Sequence, residues 1–255
     1  LGQYMKKYSY LIQQLVVQQL TMKYRRTVFG FLWSLLNPLL TMSVSAFVFS
    51  MVTRIPLENF VIFIFSGLIP WGLFSSLFVN GGSSLLASEG LIKKIYIPRY
   101  IFPLTNALAI CFDSFLSFIC LFIIILAFGQ KINVAALFLP ISFILLIFFS
   151  FGLCLIANIL FVYFRDLQQI FTILLQVGYY ATPILYPLSM IPEKYHWIFE
   201  LNPMTHFLQL FRAPLYDGTI PATTTILFCT LMAVTSMIAG LLTFDKYKNH
   251  VVFRM

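Results

Sequence analysis

Five stretches of this 255-residue chain run for twenty residues or more with almost no charge: 31–52, 60–79, 101–128, 134–162 and 222–244. A helix of about 20 apolar residues, rising about 1.5 Å per residue, covers a hydrocarbon core of roughly 30 Å. In lipid, backbone groups must be satisfied internally, which leaves helices or a closed barrel. These runs are continuous and far longer than the ~10-residue alternating strands of a barrel. A sixth stretch, 170–186, is shorter and more polar. The expectation is an all-α integral membrane protein with six transmembrane helices in one domain. Composition excludes the soluble alternative, since only 9% of residues are charged and 60% are hydrophobic, against about 25% charged in soluble domains.

Charge orients the chain. Lys6, Lys7, Lys23, Arg25, Arg26, Lys93, Lys94, Arg99, Arg165, Lys246, Lys248 and Arg254 fall in alternate connections and at both ends. The other connections hold only Arg54, Lys131, Lys194 and Arg212. Lys and Arg are retained on the cytoplasmic side, so both termini are expected inside. The net charge of +8 is then explained without nucleic acid.

Between the spans, four regions stand out. Residues 4–20 place Tyr4, Tyr8, Leu11, Ile12, Leu15 and Leu20 near one helical face and Lys6, Lys7, Gln13, Gln14 and Gln18 elsewhere, which predicts an amphipathic helix lying in the interface or packed on a partner. Ser34, Asn37, Thr41 and Ser45 form one polar stripe on the first span. The 80–99 connection opens on Gly81-Gly82-Ser83-Ser84, expected as turn and N-cap, and carries Leu85, Leu86, Leu91, Ile92, Ile95 and Ile97, which a solvated loop would not need. The 187–221 connection alternates apolar pieces too short to span with prolines, and Asn202-Pro203 reads as an N-cap and first helical residue. Re-entrant half-helices fit such a segment. Asp113, inside the third span, is costly unless paired or hydrated; transport and structural pairing with a neighbouring Asn, Ser or Tyr are both open.

Several chemistries find no support. A Gly-x-x-x-x-Gly-Lys-Ser/Thr phosphate loop is absent, so the chain is not expected to bind ATP. Carboxylates are scattered singly, which argues against an enzyme site. Cys111, Cys120, Cys154 and Cys229 lie in apolar runs without ligand spacing and read as packing residues. His196 and His206 are too isolated for a metal. A cleavable signal peptide is not expected, because a polar helix precedes the first run.

Trp33-Ser34-Leu35-Leu36-Asn37-Pro38, Leu91-Ile92-Lys93-Lys94-Ile95-Tyr96-Ile97-Pro98-Arg99 with Pro103, Phe164-Arg165-Asp166-Leu167, Thr182-Pro183-Ile184-Leu185-Tyr186 and Asn202-Pro203 together resemble the permeases of ABC exporters that move lipid-linked polysaccharide such as O-antigen, capsule or teichoic acid. The resemblance implies a cytoplasmic-membrane homodimer with two separate ATP-binding subunits, which would hold ATP and Mg; this chain would bind no cofactor itself. It implies a cargo on an undecaprenyl-type lipid and a path between protomers. Within 83–99, Ser84, Leu86, Glu89, Leu91, Lys93 and Lys94 would belong to the helix that docks on the ATPase. Arg25 and Arg26 would meet a lipid pyrophosphate, or simply anchor the topology. The path would use Ser34, Asn37, Thr41 and Ser45 with Gln169, Thr172, Gln176 and Tyr179, which recur at helical spacing on the fifth span; a buried interhelical network is the alternative. Pro183, Tyr186, Trp197, Asn202, Pro203 and Phe207 would form the exterior gate. An exporter of drugs or small lipids, and a membrane enzyme of envelope synthesis, are the competing functions.

Overall fold

Leu57–Ser76, α3, is the helix around which the others gather: 78% of its most apolar stretch is buried. The computed structural model describes residues 2–24, 33–53, 56–94, 97–129 and 133–251, and every regular element among them is helical. In chain order the other elements are α1 (Gly2–Tyr24), α2 (Trp33–Thr53), the short α4 (Ser84–Ala87) and α5 (Glu89–Ile92), α6 (Ile101–Ala127), α7 (Leu139–Tyr163), α8 (Asp166–Ala181), the short α9 (His196–Glu200), α10 (Pro203–Arg212) and α11 (Thr223–Tyr247). Arg25 and Arg26 lie outside the described residues, as do Ile95, Tyr96 and the side chains of Ser34 and Asn37.

Four helical stretches among the described residues are long and apolar enough to cross a membrane: Asn59–Gly81, Ile101–Ala127, Val134–Tyr163 and Thr223–Tyr247. The expected first and fifth spans are not among them. α2 has 21 residues and follows the undescribed 25–32. α8 stops at Ala181, short of Tyr186, and its 16 residues reach about 24 Å. Pro183 accounts for the stop, since the residue before a proline is pushed out of the helical region; Thr182 is extended.

Two cores hold the bundle together. In the larger, Phe60, Ile64 and Leu73 of α3 pack with Leu146 and Phe149 of α7 and with Phe207, Leu208 and Phe211 of α10. Phe207 stacks on Phe149 with centroids 4.7 Å apart. α10 is ten residues long, too short to span, yet six of them are buried. The smaller core, at the end holding α4 and α5, joins Leu85, Phe102, Leu155, Ile159, Val162, Phe244 and Val251. α7 and α11 touch backbone to backbone: a Cβ on Gly240 would collide with the Gly152 carbonyl, and one on Gly152 with Ser236. Ser236 Oγ adds a bond to Phe149 O at 3.1 Å.

α1 extends past its expected end and absorbs Lys23, whose ammonium meets Asp113 of α6 at 2.7 Å. The partner of Asp113 is therefore a lysine of the amino-terminal helix, a contact that spacing along the third span cannot reveal.

A candidate groove and docking loop

An open groove of about 390 Å³ runs between the end of α3 and α8, lined by Trp71, Ser75, Ser76, Val79, Asn80, Thr172, Leu175, Gln176 and Tyr179. Thr172, Gln176 and Tyr179 were expected on one face of the fifth span, and they share this wall. The opposite wall was not foreseen. Trp71 meets the Tyr179 ring edge-on at 6.1 Å, and Gly178 admits its indole, since a Cβ there would lie 3.3 Å from the ring. After Ser76 the chain widens into a π-helical turn, Leu77–Gly81, a distortion that often marks functional positions and that brings Asn80 to the groove. The sequence signal was available in Ser75, Ser76 and Asn80, which continue one polar edge beyond Trp71.

α8 buries none of its residues. Its contacts with the rest of the chain include Tyr179 at Trp71 and Phe171, whose ring lies 5.1 Å from Phe78 and 6.0 Å from Phe161. Gln169 is exposed, as are Ile170, Ile173, Leu174, Val177 and Tyr180. α2 packs instead on α3 and α6, and its Thr41 is exposed while Ser45 is half-buried with its hydroxyl turned back to Thr41 O at 2.8 Å. Among the described residues, Thr41 and Ser45 do not line the groove beside α8.

The docking loop begins where the groove wall ends. Gly81 and Gly82 press against α7: a Cβ on Gly81 would lie 2.8 Å from Cys154 Sγ, and one on Gly82 2.7 Å from Ala157 Cβ. Ser83 occupies the N-cap position of α4 but makes no capping bond, its hydroxyl turning to Asn80 O at 3.1 Å. Ser84 is buried and donates to Asn158 Oδ1 at 3.0 Å. Leu85 is fully buried, and Leu86, Ile92 and Ile97 lean on the same small core. Among the described residues, most of the apolar side chains that a solvated loop would not need are thus explained internally, and Leu91, 40% exposed, is the one left facing outward. Lys93 donates to Glu89 at 2.6 Å and holds its carboxyl below the usual range. Arg165 approaches the other Glu89 oxygen at 3.6 Å, and Lys94 is exposed. The chain's tail meets this end too: Arg99 donates to Asn249 at 2.5 Å and Tyr100 to Asp245 at 3.1 Å.

At the far end, Asn202 caps α10 through Met204 N at 3.0 Å, with Pro203 first in the helix, and also donates to Thr182 Oγ1 at 2.9 Å. Tyr186 donates to Tyr180 O at 2.7 Å. Arg212, at the end of α10, lies over the Phe63 ring at 3.8 Å and donates to the Pro183 and Ile184 carbonyls at 2.5 and 2.8 Å. Pro183, Tyr186, Asn202 and Pro203 are therefore gathered around the broken end of α8, while Phe207 is in the core and Trp197 is 58% exposed. The imidazoles of His196 and His206 each bond a backbone carbonyl, of Ile191 and Glu200.

Residues 10–216 match the ABC-2 type transporter family. The chain belongs to that family. Among relatives of this ABC-2 transporter, an O-antigen export system permease protein RfbA of Klebsiella pneumoniae is 35% identical, the match covering 94% of each chain. One of the same name from Myxococcus xanthus is 32% identical over 84% of each. The polysialic acid transport protein KpsM of Escherichia coli is 26% identical over 93% of this chain and 95% of its own length. The match begins within α1 and ends at Tyr216, beyond α10, so the groove, the docking loop and most of the broken segment lie inside it.

Proposed function

We propose that this ABC-2 transporter is the permease subunit of an exporter that moves lipid-linked polysaccharide of O-antigen type across the cytoplasmic membrane, driven by two partner ATPases. The observation that carries the reading is the groove beside α8. It is lined by an indole, a phenol, hydroxyls and amides, groups that suit weak contact with a sugar chain that must release at every step, as conduction requires. A second copy is the natural cover for it: α8 buries nothing within one chain, and Thr172, Gln176 and Tyr179 would otherwise meet hydrocarbon, which polar side chains avoid. α2 and α8 then serve as the first and fifth of six spans in each protomer, both termini face the cytoplasm, and α9 and α10 act as half-helices closing the exterior. Mg-ATP is bound by the partner chains, and the undecaprenyl-type carrier stays at the protomer edge.

The test is export in cells lacking this permease. Plasmid-borne wild type restores surface polysaccharide, and Gln176→Leu or Trp71→Leu lowers it at least tenfold with normal membrane abundance. Normal export by both variants refutes the groove; accumulation of a drug or a bare lipid inside the mutant, with surface polysaccharide unchanged, refutes the cargo.

A further inference from the structure

Asn158 of α7 is fully buried, and its amide is fully used. Oδ1 accepts from Ser84 Oγ at 3.0 Å and from Leu85 N at 3.1 Å; Nδ2 donates to Gly81 O at 2.8 Å and to Cys154 O at 3.0 Å. An amide offers two donors and two acceptor sites, so no capacity is left over. Three of these bonds reach the turn from Gly81 to Leu85, which joins the groove wall to the docking loop. Two consecutive glycines would by themselves be a hinge. Here both ends of the turn are pinned to one side chain, in a buried site where an unmade bond is costly.

We infer that Asn158 is a positioning residue that abolishes this hinge, so that a displacement of α4 and α5 passes into α7 instead of being absorbed at Gly81-Gly82. The inference rests on reading the loop as the ATPase docking surface. Beyond Asn158 the path is continuous. α7 and α11 meet at Gly152 and Gly240 with backbones in contact, so they shift together, and Asn80 carries the same movement into the groove. α8 is tied to this movement at its start, through Phe171 against Phe78 and Phe161, but buries nothing along its length, so its far end, from Gln176 on, does not follow. The groove therefore changes width when the loop is pushed.

The geometry also supplies a substitute latch. A Cβ on Gly81 would lie 3.8 Å from Cys154 Cβ and 2.8 Å from its Sγ, spacing that suits a disulfide. The experiment uses the permease–ATPase complex in nanodiscs, with reduction-stable spin labels at Leu242 on α11 and Ala181 at the far end of α8. In wild type, ATP changes the label distance. Asn158→Leu is expected to keep complex assembly and ATP hydrolysis within about twofold, yet lose the distance change and lower export in cells at least tenfold. Adding Gly81→Cys and oxidising should restore the distance change, and reduction should remove it again. Asn158→Asp keeps the acceptor facing Ser84 and Leu85 but turns a carboxylate oxygen toward the Gly81 and Cys154 carbonyls, which repel it, so that end of the turn is released and its response should be intermediate; it is decisive if the leucine variant fails to assemble. A wild-type distance change in Asn158→Leu, or in Asn158→Asp where that stands in, overturns the inference. So does an oxidised double variant that assembles but stays unresponsive. Wild-type complex that moves with ATP but exports no polysaccharide refutes the cargo and leaves the latch standing.

Discussion

Lys23 Nζ and Asp113 Oδ2 meet at 2.7 Å where α1 crosses α6. Asp113 lies about 18 Å along α6 from Ile101, so the last turn of α1 rises beside the span instead of staying below its end. The Asp113 side chain is 24% exposed, and its second oxygen is buried without a hydrogen bond among the described residues.

Lys23→Met leaves that carboxylate in place without its cation. A lone charge at membrane depth costs about 2.5–3.5 kcal/mol, so α1 should loosen from α6. Limited proteolysis of proteoliposomes should cut near Tyr24 faster in Lys23→Met, and Asp113→Asn in the same chain should return the rate toward wild type. Additive effects of the two substitutions would show that the pair contributes nothing beyond each residue alone.

Leu85 and Leu91, six positions apart in one short loop, should respond in opposite ways to the same substitution. Leu85 has no exposed surface, and an aspartate there would be buried unpaired, which calls for several kcal/mol; Leu85→Asp should abolish folded permease. Leu91→Asp should leave membrane abundance and melting unchanged while reducing ATPase co-purification at least tenfold. Equal co-purification in both wild type and Leu91→Asp would place the docking surface elsewhere.

Arg212 should resist conservative replacement. Its guanidinium carbon sits over the Phe63 ring, 3.8 Å from the centroid, while two nitrogens reach two consecutive carbonyls, a geometry an ammonium cannot copy. Gly67 leaves the room for it, since a Cβ there would come within 3.1 Å of Nη2. With hydrogen bonds to charged groups worth about 1.5–3 kcal/mol, Arg212→Lys should raise hydrogen exchange at Ile184 N, bonded to Thr182 O at 2.7 Å, by roughly thirtyfold, the equivalent of about 2 kcal/mol. Unchanged exchange would mean that the neighbouring chain holds this turn without the arginine.

What could be seen in advance follows the reach of each signal. Charge-free runs are local and long, so α3, α6, α7 and α11 were visible from residue type alone, and Asn202-Pro203 announced α10 because a cap and its proline are adjacent in sequence. The fifth-span face was visible because Thr172, Gln176 and Tyr179 repeat at helical spacing. Trp71 opposite them, Lys23 beside Asp113 and Asn158 beneath Ser84 join residues from 74 to 108 positions apart, and no periodicity encodes which helices touch. The glycines show the same limit: the turn expected at Gly81-Gly82 is there, but what excludes a side chain is close packing against Cys154 and Ala157, more than seventy positions away.

Accessibility within the groove separates a wet path from a helix contact. Cysteines placed at Ser75, Asn80, Thr172 and Gln176 line the same concavity, so a small water-soluble thiol reagent should modify all four when ATP holds the transporter open. Leu174 is the control, because it lies on α8 with 54% exposure but outside the groove lining, where hydrocarbon or a second copy excludes the reagent. Leu175 would be a poor control, since it lines the groove itself. Labelling at Thr41 reads a separate question: this exposed residue of α2 joins the aqueous path only if a second protomer brings α2 opposite α8. Reaction at the four groove positions without Thr41 would confine the path to one protomer's α3–α8 cleft. Reaction at Leu174 as fast as at Gln176 would mean that α8 stands in water on all sides, and a cleft bounded by that helix could not then be the route for cargo.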